Sequence, residues 1–420
     1  MNKLPLLLLL LFCGQLNAQF ISGHCGQPDL SRYYALNNEE VIHQRNEIEK
    51  FTQEWIKTYQ ENQVQQREAI TIPIVVHVVW NRTEENISDL QIESQIDATN
   101  ADFRKLNANL NLLPEEFLNQ AVDVEIEFCL ANIDPFGNAT NGITRTQTDF
   151  ENVGTLSSPG NRLRVFDDDL GGKTGWPTDE YLNIWVAETG GFPLGFACLP
   201  GTCPIEEDGV VIDGSFFGTT CNTISPFNLG RTLTHELGHF LNLSHIWGDG
   251  FDNATCEGDD FVDDTPLQDG PSFGCPIHPV NSCGSNNQFF NYMDFSDDEC
   301  LAMFTEGQKL RMLATLNGPR SGLLTSNGCG LISTSPISLN ENSVLIFPNP
   351  VNECLHIDVD LENQTPILMT VFNATGQLVF SSENTPNDLR SIDVMSLLPG
   401  VYFVNIELGT QSVTKRFVVQ

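Results

Sequence analysis

His235, Glu236 and His239 fall in the run His235-Glu236-Leu237-Gly238-His239, inside a segment, 231–243, that reads as a helix. Side chains at i and i+4 stand one above the other on the same helix face, so the two imidazoles can take adjacent corners of a zinc tetrahedron. His245, six residues after His239, reaches a third corner only if the helix ends between them and the chain turns back. Asn242 is the residue suited to that turn, because asparagine tolerates left-handed backbone best after glycine. Three neutral nitrogen ligands leave a fourth position for a water that the metal makes acidic. Glu236 is then placed as the general base that takes the water's proton and hands it to a leaving amine. Ordinary surface or core histidines would give His-Glu-x-x-His by chance in roughly one chain of this length in a hundred, and His245 lowers that about fiftyfold.

A helix carrying such a site needs a rigid support. The β-rich run 72–80, Ile72-Pro73-Ile74-Val75-Val76-His77-Val78-Val79-Trp80, predicts a central strand, and further strands are expected at 122–130, 181–187 and 209–213. Ser88 and Gln91 predict a capping box for a helix whose apolar face is Ile92, Ile96, Thr99 and Phe103. Upstream, Ile48, Phe51, Trp55 and Tyr59 give an amphipathic helix within the Gln-, Glu- and Asn-rich stretch 19–67. After a polar stretch, 333–343, short alternating strands at 355–359, 367–372, 401–407 and 412–419 show no helical period and predict a small β-sandwich.

The N-terminal residues set the compartment. Lys3, the apolar run 4–12 and Leu16-Asn17-Ala18 read as a signal peptide, since the run is far below the ~20 residues needed to span a bilayer. No other segment is long and apolar enough to cross a membrane. In an exported chain most of the cysteines after Cys13 are expected in disulfides. With 20 basic against 55 acidic residues the formal charge is −35, which excludes a nucleic-acid partner.

The run His235 to His245 resembles the extended zinc signature of the metzincin metalloproteases, and Ile246-Trp247-Gly248-Asp249 resembles its continuation in the secreted bacterial members of the pappalysin family. Cys256-Glu257-Gly258-Asp259-Asp260-Phe261-Val262-Asp263-Asp264-Thr265-Pro266 is similar to that family's calcium loop, and Asn291-Tyr292-Met293-Asp294 to its Met-turn, with Met293 as an apolar floor beneath the metal. The resemblance covers roughly 71–320 and implies an α+β fold: a metzincin-type zinc protease domain, with a twisted mixed sheet and an active-site helix, followed by the all-β sandwich. It implies one catalytic zinc on His235, His239 and His245, a zinc-dependent endopeptidase acting on peptide or protein substrates, and calcium at Asp260 and Thr265 with Asp259 beside them. A solvated acidic loop is the plain alternative to calcium. It also implies the pairs Cys256 with Cys283 and Cys275 with Cys300, although the sequence alone permits all three connectivities of these four.

Other implications concern specificity and latency. Glu299 falls where relatives that prefer a basic residue after the scissile bond have an acid; surface decoration explains it equally well. Cys25, in the leader, resembles a thiolate switch that takes the water's place on zinc, with Asp29 as its rival. Arg67 is a reasonable activation cleavage point. Two positions depart from the family pattern: Asn242 where glycine is usual, and Phe295 where a tyrosine hydroxyl usually assists the tetrahedral intermediate.

Phe347-Pro348-Asn349-Pro350, Asn373 to Val379, Leu398 to Tyr402 and Lys415 to Val419 resemble the C-terminal sorting domain read by outer-membrane type IX secretion machinery. The expected organisation is a signal peptide (1–18), a propeptide (19–67), a catalytic domain (68–330), a linker (331–343) and a sorting domain (344–420). The protein is thus expected to be secreted or held at the cell surface as a zymogen. A noncatalytic adhesin keeping a metal-braced fold is the rival; an intact Glu236 argues against it.

Overall fold

The computed structural model describes residues 24–61, 69–156, 164–248, 256–330, 344–359, 367–384, 391–408 and 411–420. The expected signal peptide, Arg67 and the linker lie outside them, as does the side chain of Asp29.

Strand β1 (Ile70–Trp80) has eight consecutive buried residues. Such an unbroken apolar run belongs to a strand covered on both faces. One edge of β1 pairs in parallel with β2 (Ile126–Leu130) and then with β3 (Ile143–Gln147). The other edge pairs with β4 (Leu182–Val186), which pairs with β6 (Val210–Ile212). Antiparallel β5 (Gly195–Ala197) closes the mixed sheet in the order β2-β1-β4-β6-β5. β3 and β5 escape sequence reading because β3 mixes Thr, Arg and Gln on a half-exposed surface and β5 is three residues long with a glycine.

Helix α3 (Asp89–Phe103) and the histidine helix (Arg231–Phe240) lie against this sheet. Leu233, Leu237 and Phe240 share one core with Ile74, Val76, Leu182 and Ile184. Burial of each such side chain contributes about 1.5–3 kcal/mol. Only half of the expected capping box forms. The Gln91 N–H donates to Ser88 Oγ, but the Gln91 side chain turns inward and donates to the Gly214 and Phe217 carbonyls. Its amide is buried, and those carbonyls outcompete the cap. A further helix, Glu306–Leu316, opens on a complete box between Thr305 and Gln308 and buries Met312, Leu313 and Leu316 in the same core.

The leader forms α1 (Gln27–Asn37) and α2 (Glu39–Glu61), the second containing the expected amphipathic helix. Trp55 packs against the main core, and Phe51 lies on Gly318, where any Cβ would meet its ring at 2.2 Å. Strands β7 (Asn281–Ser282) and β8 (Ser285–Asn286) pair with each other in an antiparallel ribbon. In the C-terminal region β9 (Val344–Phe347), β10 (Cys354–Val359) and β13 (Ser391–Asp393) form one antiparallel sheet. β11 (Ile367–Asn373), β12 (Leu378–Asn384), β14 (Gly400–Leu408) and β15 (Gln411–Val419) form the other. Leu355 and Ile357 from the first sheet meet Val371, Val404 and Phe417 from the second in a common core.

Five disulfides are present among the described residues: Cys129–Cys329, Cys198–Cys203, Cys221–Cys354, Cys256–Cys283 and Cys275–Cys300.

Candidate metal centre

The histidine helix starts after Gly230, held at φ +79°, and every residue from Arg231 to Phe240 is buried. It ends where Asn242 adopts φ +73°. There the Leu243 N–H donates to the Gly238 carbonyl at 2.9 Å, closing the last turn. This reversal swings His245 back over the helix face. His239 Nε2 then lies 3.0 Å from His235 Nε2 and 3.2 Å from His245 Nε2.

These three nitrogens fit a metal. His235 Nδ1 donates to the Tyr292 carbonyl at 2.7 Å and His239 Nδ1 to the Leu243 carbonyl at 2.8 Å. With those protons turned outward, both Nε2 atoms present bare lone pairs to each other, an arrangement that needs a cation between them. Burial lowers His235 to about 4 and, together with the neighbouring imidazoles, holds His239 and His245 well below the usual histidine range. All three are therefore neutral, as ligands must be. Cys25 is the fourth member: its sulfur and the three imidazole nitrogens all lie within 4.8 Å of one another. The leader holds it there by laying a short parallel bridge on β5. The Gly26 N–H donates to the Gly195 carbonyl at 2.9 Å, and the Leu194 N–H to the His24 carbonyl at 2.8 Å.

Glu236 is buried beside this cluster. Desolvation pushes its carboxyl up to about 8, countered in part by a hydrogen bond from the Cys25 thiol. Oε2 has no partner among the described residues. Met293 lies beneath the helix, and a Cβ at position 238 would come within 2.4 Å of its sulfur. A glycine in mid-helix, normally a cost of about 1 kcal/mol, is explained by that approach.

Behind the helix is a group that sequence reading missed. Asp102, fully buried on α3, accepts from Arg231 Nη1 at 2.9 Å, Thr234 Oγ1 at 2.7 Å and Tyr292 Oη at 2.8 Å. Desolvation raises its carboxyl to about 6 despite the Arg231 charge. This carboxylate ties the histidine helix to Tyr292, whose carbonyl orients His235. The Tyr292 hydroxyl is thereby committed away from the cleft. Phe295 packs among His245, Trp247 and His24, with ring centroids 4.9, 4.9 and 5.4 Å away.

Beside the histidines a small cavity is lined by His24, Phe227, Arg231, Asp294 and Asp298. Glu299 does not line it. The Glu299 side chain is exposed, and its carbonyl accepts from Asn109 Nδ2 at 2.9 Å. The turn at 297–300 directs Asp298 inward instead, where its carboxylate accepts from the Leu229 N–H at 2.7 Å and the Arg231 N–H at 3.3 Å.

In the acidic loop Asp260 is buried and accepts from Thr265 Oγ1 at 2.8 and 2.9 Å; desolvation raises it to about 7. Asp259 is exposed and accepts from the Phe261 N–H. Asp264 serves the Glu306–Leu316 helix, accepting from Thr305 Oγ1 and the Gly307 N–H. Among the described residues the convergent ligand group is the Cys25–His235–His239–His245 set, and these acids do not form a second one.

Residues 166–317 match the profile of the family described as pregnancy-associated plasma protein-A, and residues 345–420 match that of the secretion system C-terminal sorting domain. An extracellular metalloprotease of Arthroderma otae is 29% identical over 265 residues, 60% of this chain and 80% of that protein. Extracellular metalloprotease 1 of Coccidioides posadasii is 37% identical over 150 residues, 34% of this chain; the match spans about half, 51%, of that relative's length. Among solved structures, mature mirolysin of Tannerella forsythia in complex with a cleaved peptide is 44% identical, with 62% of this chain and 97% of that chain covered at a TM-score of 0.57. A mutant of Tannerella forsythia promirolysin is 39% identical, with 74% and 99% covered at a TM-score of 0.63.

Proposed function

Because this chain belongs to the pappalysin-type family of metzincin zinc metalloproteases and ends in a secretion-system sorting domain, we propose that it is a secreted endopeptidase kept latent by Cys25 and working through Glu236. The observation that carries this reading is the convergence of three buried, neutral imidazoles beside a buried carboxylate with a spare oxygen. Zinc bound by His235, His239 and His245 would supply a Lewis acid and an acidified water.

The chain's own groups do the rest. The Tyr292 and Leu243 carbonyls fix the imidazole tautomers, and Asp102 holds Tyr292 in place. Glu236 takes the proton of the attacking water at its free carboxylate oxygen and passes it to the departing amine. The β5 backbone groups now engaged by His24 and Gly26 are open to an extended peptide once the leader leaves. Cys25 would block that chemistry twice over, because its sulfur lies within 4.8 Å of the three imidazole nitrogens that would hold the metal and its thiol hydrogen bonds to the base. The boundaries that go with this reading are a propeptide to about residue 67, a catalytic unit over 68–330 and a sorting unit over 344–420.

Two finer points belong to the same proposal. Calcium in the 256–265 loop would use the Asp260 carboxylate and the Thr265 carbonyl; a buried carboxylate raised to about 7 is stabilised by such a cation. A preference for a basic residue after the scissile bond would come from Asp298, one of the acids lining the cavity, since Glu299 does not line it.

Digestion of an unbiased peptide library by the mature form, beside its Glu236→Ala counterpart, tests the reading. Cleavage by the first and its loss in the second are expected, with Lys or Arg enriched after the cut and that enrichment lost in Asp298→Asn. Identical digests from the two proteins would refute the enzyme.

A further inference from the structure

Nine cysteines fall between residues 69 and 330: Cys129, Cys198, Cys203, Cys221, Cys256, Cys275, Cys283, Cys300 and Cys329. An odd number cannot all pair with one another. Eight of them form the four disulfides internal to this region, and Cys221 is left over. The region from residue 344 onward has a single cysteine, Cys354. Upstream, Cys13 falls in the expected signal peptide and Cys25 is taken up at the metal centre. Parity therefore leaves Cys221 and Cys354 for each other, and the structure joins them with their Cα atoms 6.0 Å apart, an ordinary span for a disulfide.

The position of this bond matters more than its presence. It connects residues 133 apart in sequence, so the closed loop contains the whole stretch 331–343 between the two regions. Cys354 opens β10 and is buried at the edge of the sandwich core, while Cys221 lies on an exposed loop. That loop runs on through Phe227, which lines the cavity, and Leu229, whose N–H caps Asp298.

We propose that Cys221–Cys354 is a covalent tether that keeps the C-terminal sandwich on the protease after the chain between them has been cut. Hydrolysis of one peptide bond within 331–343 yields two chains still joined through sulfur. Separation then takes a second reaction with an external thiol. One thiolate attacks a sulfur of the bridge, expelling the other cysteine as a thiolate that takes up a proton. A second thiolate attacks the mixed disulfide. Two thiols become one external disulfide, and two cysteine thiols are left on the protein. Cutting and release are thus separate events, and a protease leaving its sorting domain in an oxidising medium carries that domain along. The consequence for delivery rests on the sorting reading; the tether does not.

The full chain tests it in a Glu236→Ala background, so that self-cleavage plays no part, with a specific protease site placed between 331 and 343. After cutting, denaturing electrophoresis without reductant is expected to give one species of full mass, and dithiothreitol should split it into two. Cys354→Ser, or Cys221→Ser if the first does not fold, should part without reductant. Peptide mapping of the uncut, unsubstituted protein should recover a Cys221–Cys354 cross-linked peptide that disappears on reduction. Fragments that part in denaturant alone, free Cys221 and Cys354 thiols on alkylation, or a bridge from either to Cys25 would overturn the proposal. Loss of peptidase activity, by contrast, would sink the function above and leave the tether untouched.

Discussion

At the scale of single residues, Asn242 does more than close a helix. At φ +73° it makes the reversal that brings His245 to the metal centre, as glycine would. Its side chain also accepts from the leader's Arg45 at 2.8 Å, and glycine could not. Asn242→Gly should therefore leave mature turnover intact while weakening inhibition by the leader about tenfold, the worth of one charge-assisted hydrogen bond; titrating leader peptide into the mature variant reads this directly. Phe295 gives a second prediction. It packs beside His245 without a hydroxyl, and the Tyr292 hydroxyl is occupied by Asp102, so neither ring offers a donor to the metal centre. Phe295→Tyr should raise kcat, by up to about 100-fold if the new hydroxyl is well placed; an unchanged kcat in steady-state peptide assays would contradict it. The histidine spacing, Glu236 and the Asn242 turn were legible in the sequence because they are local. Asp102 was not, since a helix period gives no hint that residues 102, 231, 234 and 292 will meet.

At the scale of elements, leader helix α2 is held by more than its apolar face. Arg311 Nη1 and Nη2 donate to both Glu49 oxygens at 2.9 and 2.7 Å. Burial alone would push the Glu49 carboxyl up, but the hydrogen bonds and charge of Arg311 outweigh it and hold the group below its ordinary value. A carboxylate lowered in the docked state stabilises docking above its free pKa and loses that contribution as pH falls through the lowered value. The cleaved leader should therefore dissociate faster in acid, below the ordinary carboxylate range, as followed by Trp55 fluorescence. Glu49→Gln should release it faster at neutral pH and flatten the acid dependence, at a cost of roughly 1–2 kcal/mol given that Glu49 is only partly buried. Strand β1 and the amphipathic part of α2 were readable from periodicity. The Glu306–Leu316 helix went unread, although its capping box Thr305–Gln308 stood in the sequence, because its apolar positions blend into a mixed stretch. β5, which the leader bridges, is too short to leave any period.

At the scale of the whole molecule, the disulfides tie together parts of the chain that lie far apart in sequence. Three of the five bridges span more than 25 residues, and one of them, Cys129–Cys329, staples the end of the catalytic region to β2. The Cys256–Cys283 bridge braces the loop that holds Asp260. If calcium sits there, removing it with a calcium-selective chelator should lower the melting temperature by several degrees, and added calcium should restore it. Asp260→Asn should melt alike with and without the ion, as calorimetry would show. Spacing does not tell Cys354 where its partner lies: nine cysteines in one region and one in the other call for a bridge between them, and the fold selects Cys221.

The central claim is that one zinc on three histidines, with Glu236 beside it, cuts peptide bonds. Turnover of a single peptide by chelator-stripped mature protein, followed as zinc is titrated in, tests it most directly. Activity should rise from baseline and saturate at one zinc per chain, with no rise in His245→Ala. Full turnover before any metal is added, or none at any zinc level, would contradict the account.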